Sequence, residues 1–280
     1  MKFKGSACTV ALLIVGLGLA VPVEAAQVYY TDLNTAPGTD AFLKRVNADG
    51  SGMTTLVTGV KHPRSIALDI PGGKMYWNEL GLSAIRRANL DGTGPESVVA
   101  TSVQASGLAL DLVAGKLYWT GGKVDPWIRR ANLNGTGVED LVTSGQVLPS
   151  GIAVDTVHGK LYWTDLEGNV DGTGSIKRSN LNGSNVETLL AGIDEANGLA
   201  CDAVGGKIYW TEAATKKIQR ANLDGTGVED LVTALNNPTT ISLDVVARKM
   251  YWTQGLLGAI RRSNLDGSNV ETVVSGIGYP

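Results

Sequence analysis

The sequence predicts an all-β chain folded as a six-bladed β-propeller with four antiparallel strands per blade. Three observations carry this. An aromatic pair recurs six times at a blade-sized spacing, a turn glycine recurs in step with it, and each repeat holds four apolar segments of strand length. The pairs are Tyr29-Tyr30, Tyr76-Trp77, Tyr118-Trp119, Tyr162-Trp163, Tyr209-Trp210 and Tyr251-Trp252, separated by 47, 42, 44, 47 and 42 residues. Periods of this length belong to propeller blades. The glycines are Gly50, Gly92, Gly135, Gly183, Gly225 and Gly267, all in Asp-Gly or Asn-Gly, the dipeptides that supply positive φ at a hairpin.

The four segments of a unit come in a fixed order. An inner segment such as Ile66-Ala67-Leu68-Asp69 precedes five of the aromatic pairs. A turn such as Gly72-Gly73-Lys74 or His158-Gly159-Lys160 leads into the aromatic strand. Then come the R-R-A-N-L-D-G element, as at Arg86–Gly92, and a short apolar run such as Glu187–Leu190. One blade cannot bury both of its faces. Stacking it between two others does, and closing the ring leaves no blade face open. Burial on both faces also explains why the strands do not alternate cleanly between polar and apolar residues.

The run G-I-A-V-D, K-L-Y-W-T-D, R-S-N-L-N-G at Gly151–Asp155, Lys160–Asp165 and Arg178–Gly183 resembles the YWTD (class B) repeats of the low-density-lipoprotein receptor family. The resemblance covers nearly all of residues 27–276 and implies a six-bladed propeller. The last letter of the signature is kept at Asp32 and Asp165, and is read elsewhere as Asn78, Gly121, Glu212 and Gln254. The cysteine-rich modules that flank such propellers in animal receptors are missing from the sequence, and so is a membrane anchor. Receptor function, endocytosis and lipoprotein binding are therefore not expected to carry over. A stand-alone exported propeller of bacterial type fits better.

Residues 1–25 read as a signal peptide. Lys2 and Lys4 form a basic head, Thr9–Val23 is almost wholly apolar, and Val23-Glu24-Ala25 suits cleavage before Ala26. The apolar run is short for a membrane span. Residues 26–280 then form a single domain in the periplasm or outside the cell. Of the 24 basic and 27 acidic residues, the leader removes two lysines and one glutamate, leaving 22 and 26, a net charge of −4. That charge, without any basic block, excludes nucleic acid as an expected partner. Only Cys201 remains beyond the leader, so stability must come from packing rather than an internal disulfide.

One place in the ring is irregular. The processed chain begins on the aromatic strand of the first blade, with no inner strand before it. Only six residues follow Val274, whereas ten separate Val142 from Ile152. A three-stranded first blade or a truncated chain is expected. Leu17-Gly18-Leu19-Ala20 has the look of an inner strand, but cleavage removes it.

Function is sought in loops, which a rigid scaffold positions. From the first aromatic to the common arginine (Arg45, Arg87, Arg130, Arg178, Arg220, Arg262) the distances are 16, 11, 12, 16, 11 and 11. Blades 1 and 4, opposite each other in a six-fold ring, thus carry matching extensions. Their loops hold Asp32 and Asp40 in one blade, and Asp165, Glu167 and Asp171 in the other, two acidic lips across the channel. Long hairpins are also simply tolerated by a fold. Trp127, outside the repeats, is either an exposed anchor for a partner or sugar or a hydrophobic cap on its blade. The repeated aromatics, the common arginine and the aspartate closing each inner segment read as packing and pairing residues.

Catalytic signals are sparse. There is no G-x-S-x-G elbow and no H-E-x-x-H, His62 and His158 fall on opposite faces, and no cofactor or metal motif stands out. A metal-dependent hydrolase or lactonase remains the alternative, with Asp32, Asn78, Asp165, Glu212 and Gln254 as its candidate oxygen ligands. Asp91–Gly94 and its relatives read as turns rather than calcium loops, and the sequons at Asn134 and Asn182 as the same turns. The expected role is an extracytoplasmic binding scaffold for a protein, peptide or glycan.

Overall fold

A computed structural model describes residues 10–13, 26–33, 41–101, 105–122, 125–166 and 174–278. Six four-stranded antiparallel sheets follow one another along the chain. Blade 1 is β1 (Val10–Leu13), β2 (Gln27–Asp32), β3 (Ala41–Asn47) and β4 (Thr54–Val60). Blade 2 is β5 (Pro63–Asp69), β6 (Lys74–Glu79), β7 (Ala84–Asn89) and β8 (Glu96–Ala100). Blade 3 is β9 (Ala105–Asp111), β10 (Lys116–Gly121), β11 (Trp127–Asn132) and β12 (Glu139–Val142). Blade 4 is β13 (Pro149–Asp155), β14 (Lys160–Asp165), β15 (Gly174–Asn180) and β16 (Glu187–Ile193). Blade 5 is β17 (Ala196–Asp202), β18 (Lys207–Glu212), β19 (Lys217–Asn222) and β20 (Glu229–Val232). Blade 6 is β21 (Pro238–Asp244), β22 (Lys249–Gln254), β23 (Ala259–Asn264) and β24 (Glu271–Ser275). The inner strands β1, β5, β9, β13, β17 and β21 touch in that order, and β1 also touches β21, so the ring closes.

The aromatic pair explains the stacking. Consecutive residues of a strand point to opposite faces, so the two rings of a pair enter different seams. The tyrosine meets the following blade and the second aromatic meets the preceding one. Tyr29 shares a cluster with Trp77, Tyr76 with Trp119, Tyr118 with Trp163, Tyr162 with Trp210 and Tyr209 with Trp252. In the closing seam Tyr251 meets Tyr30, which stands where the other blades have tryptophan. All twelve rings are buried, and each contributes up to about 3 kcal/mol. Six seams therefore make up the core.

The common arginine fastens five of the six seams at the blade periphery, Arg45 instead reaching Gln27 within its own blade. Arg87, Arg130, Arg178 and Arg220 donate from Nη1 to the carbonyls of Leu133, Leu181, Leu223 and Leu265 in the next blade. Arg262 donates to the Ala48 carbonyl at 2.7 Å and so joins blade 6 to blade 1. Each of these arginines also pairs with a glutamate of its own outer strand, from Glu96 to Glu271. The adjacent guanidinium holds each glutamate carboxyl below its ordinary range. The two contacts differ in value, because the glutamates are exposed and the carbonyl bond is half-buried. Arg262→Ala is expected to cost about 1.5–3 kcal/mol in urea unfolding. Glu271→Ala should leave the midpoint almost unmoved, and equal losses for the two would contradict this division.

The inner place of blade 1 departs from expectation. It is filled by β1, whose residues Val10, Ala11, Leu12 and Leu13 lie opposite Tyr30, Tyr29, Val28 and Gln27. The blade has four strands. The inner-strand pattern noted at Leu17–Ala20 lies outside the described residues.

Candidate functional site

The rim face carries the loops from second to third strands and the crossovers between blades. Its base is built by the fourth letter of the repeated signature. In strand register Asp32, Glu79, Gly121, Asp165, Glu212 and Gln254 each end a second strand. Asn78 does not belong to this set. It lies opposite Ile85 as Thr164 lies opposite Ile176, so it takes the threonine place and Glu79 is the true counterpart of Asp165. The letters agree with this register, since Y-W-N-E matches Y-W-T-D position for position.

The threonine place bridges inner strands. Thr120 Oγ1 accepts from the Gly107 N–H at 2.8 Å and donates to the Ser150 carbonyl at 2.6 Å. Asn78 does comparable work, donating from Nδ2 to the Ser106 carbonyl.

The acidic place fastens the crossover. The Asp165 carboxylate accepts from the N–H groups of Val147 and Leu148 at 3.0 and 2.8 Å, and from Lys177 Nζ at 2.6 Å. Asp165 is fully buried and Lys177 nearly so, their side chains being 0% and 8% exposed. Lys177 also donates to the Gly145 carbonyl. Asp32 accepts from Lys44 Nζ at 2.6 Å and from the Gly278 N–H at 2.9 Å, the corresponding link at the ring closure. Glu79 takes the Lys61 N–H and Arg86. Glu79 and Glu212 also reach back to the indole N–H of Trp77 and Trp210, both at 3.0 Å. Aspartate is one methylene shorter, and the Trp163 indole N–H has no partner among the described residues.

Asp32 and Asp165 therefore sit at the base of the two long hairpins, with their carboxylates engaged by their own chain. Asp40, Glu167 and Asp171 lie outside the described residues. Trp127 is not an exposed anchor. It is 4% exposed and stands opposite Gly121, where the missing side chain leaves room. Its ring meets Trp119 edge-on at 6.3 Å, with Arg129 over its face at 4.3 Å. The hydrophobic-cap reading of Trp127 is the one this geometry fits.

Of the proposed oxygen ligands, the carboxylates of Asp32, Asp165 and Glu212 bond within their own blade or crossover, while Asn78 Oδ1 and Gln254 Oε1 have no hydrogen-bond partner among the described residues. Among the described residues no three His, Cys, Asp or Glu side chains are placed to share a metal ion. His62 is exposed in a rim-face crossover, while His158 Nδ1 lies 2.8 Å from Asp155 on the opposite face. The Asp91-Gly92 type turns close on themselves, Asp91 accepting from both the N–H and hydroxyl of Thr93.

Two features escaped the sequence reading. Arg64 occupies the second position of β5, where β9, β13, β17 and β21 have Ser106, Ser150, Asn197 and Thr239. It is the one cation in that set. Gln146 is buried in the crossover to blade 4, and neither its Oε1 nor its Nε2 has a hydrogen-bond partner among the described residues. Its neighbours Gly145 and Val147 are held by Lys177 and Asp165. Nothing in its residue-by-residue context marks it, because crossovers vary from blade to blade.

Burial pushes the Cys201 thiol up to about 12. The thiol thus stays protonated at neutral pH. Its reaction with an aromatic disulfide at pH 8 is expected to be about a thousandfold slower than that of free cysteine, and to recover on unfolding. Prompt reaction in the folded state would contradict the burial of β17.

The class defined by this architecture is the six-bladed β-propeller. Solved structures of similar fold include a chain of the nidogen/laminin complex, with a TM-score of 0.75 and 24% identity over 85% of this chain and 90% of that one. TolB from Acinetobacter baumannii has a TM-score of 0.75 and 15% identity, covering 90% of this chain and 64% of its own. A putative TolB from Agrobacterium tumefaciens has a TM-score of 0.70 and 15% identity, covering 84% and 89%. No protein-family model matches the sequence, and no curated protein matches it. No helix among the described residues is long and apolar enough to cross a membrane.

Proposed function

We propose that the protein is an extracytoplasmic binding scaffold of the YWTD-repeat kind. It recognises a protein, peptide or glycan on the rim face, between the long hairpins of blades 1 and 4. The observation that carries the reading is Gln146. A buried amide with neither end partnered among the described residues costs roughly 1–3 kcal/mol unless another group completes its hydrogen bonding, and in this reading the ligand does so. This one stands at the root of the blade 4 hairpin, in the crossover that Asp165 and Lys177 hold rigid. The apolar leader supports export, and the similar chain from the nidogen/laminin complex belongs to a protein–protein assembly. In this reading Asp32 and Asp165 set the loops in place, while Asp40, Glu167 and Asp171 meet the ligand.

The test compares the wild type with an Asp40→Ala, Glu167→Ala, Asp171→Ala triple variant and a Gln146→Leu variant, each offered an envelope extract and a glycan array. Binding of one species by the wild type, weakened at least about tenfold in both folded variants, is expected. Undiminished binding by both variants would remove the rim from consideration.

A further inference from the structure

The inner place of blade 1 differs from the other five in how it is filled. Each of the other inner strands runs seven residues, from Pro63–Asp69 to Pro238–Asp244, and is joined to its second strand by a tight turn. The aspartate that ends it anchors that turn. Asp69 accepts from Gly72, Asp111 from Ala114, Asp155 from Val157 and His158, Asp202 from Gly205, and Asp244 from Ala247. β1 is only four residues long. It is separated from β2 by residues 14–26, and Leu13 stands in the aspartate place. It has the pairing of an inner strand without the anchor.

Its sequence nevertheless fits the place. Val10-Ala11-Leu12 occupies the register of Ile66-Ala67-Leu68, Leu108-Ala109-Leu110, Ile152-Ala153-Val154, Leu199-Ala200-Cys201 and Ile241-Ser242-Leu243. The rule is branched aliphatic, small, then apolar. The fourth position differs in a complementary way. Elsewhere the aspartate lies opposite Lys74, Lys116, Lys160, Lys207 or Lys249. In blade 1 the uncharged Leu13 lies opposite the uncharged Gln27.

We propose that the inner edge of β2, walled by β5 and β21, is a strand-acceptor site. β1 fills it in the unprocessed chain. When β1 leaves with the leader, an extended segment of a partner protein takes its place by strand addition. That segment reads branched aliphatic, small, aliphatic, uncharged. Unpaired N–H and C=O groups along an exposed edge are a template for an added strand, and the side-chain rule restricts which strand fits. This site lies along the channel and is separate from the rim proposed above, so either can fail without the other.

The probe is a fluorescein-labelled peptide Pro-Ser-Gly-Ile-Ala-Val-Asn, the blade 4 inner strand with its final aspartate neutralised. The protein is the full chain, wild type or carrying Ala11→Pro, which removes a strand N–H and bars β1 from pairing. By anisotropy the Ala11→Pro chain is expected to bind the peptide at least tenfold tighter than wild type. A peptide with proline for its alanine should bind at least tenfold more weakly. Equal binding by both chains, or by both peptides, would overturn the proposal.

If Ala11→Pro fails to fold, the folded wild-type chain is cut at a protease site introduced within residues 14–25. Excess peptide should displace the β1 fragment and restore hydrogen-exchange protection to the amides of Gln27–Tyr30. Retention of the fragment under excess peptide, or amides that stay unprotected at saturating peptide, would equally overturn it. Dimerisation of the cut chain that the peptide does not reverse would assign the site to a second copy and overturn the partner assignment.

Discussion

Replacing Asp165 with alanine is expected to lower the unfolding free energy by about 3–5 kcal/mol. The effect is large because the partner left behind, Lys177, is 8% exposed. An unpaired buried ammonium is far more costly than the pair itself is worth. The substitution also deprives the N–H groups of Val147 and Leu148 of their acceptor. The companion variant settles the cause. Asp165→Leu combined with Lys177→Met removes both charges at similar volume and should recover most of the loss. A single variant within 1 kcal/mol of wild type in urea unfolding would mean that water reaches this pair. A double variant no better than the single one would shift the weight to the backbone N–H donors left without an acceptor. The same logic applies more weakly to Asp32, whose partner Lys44 is 19% exposed.

Gly135→Ala is expected to cost about 2–5 kcal/mol, from two sources that a second variant separates. Gly135 has φ +85°, and an added Cβ would stand 1.9 Å from the Val98 carbonyl oxygen of blade 2. The hairpin of one blade is pressed against the outer strand of the one before. Gly145 has φ +78° with nothing within 4 Å of its added Cβ. Gly145→Ala therefore carries the backbone term alone, about 1 kcal/mol or somewhat more. The difference between the two thermal or urea midpoints reads the seam contact. Equal losses would show that the hairpin can move away from Val98 at no cost.

The sequence revealed the ring because the ring is repetition. Six aromatic pairs and six turn glycines recur around the circle, and five of the six arginines bridge to the next blade. What stayed hidden are contacts specified by register rather than by letter. Glu79 is the exception, since it follows Tyr76 by three residues as Asp165 follows Tyr162, and taking Asn78 in its place miscounts the signature by one letter. Lys177 and Lys44 were not linked to Asp165 and Asp32 because the pairing runs across strands, twelve residues away in both blades. Trp127 looked like a loop residue because its burial depends on the absence of a side chain at Gly121, on the facing strand. β1 was missed for a different reason. A leader and an inner strand obey the same apolar pattern, so composition alone assigns the segment to one role when its register allows both.

The rim assignment is tested most directly by hydrogen exchange on the processed protein with its captured ligand bound. Protection confined to residues 33–40, 145–148 and 166–174 is the predicted result. Protection of the turns on the opposite face, such as Leu112–Gly115 and Val157–Gly159, with the rim unchanged, would contradict it.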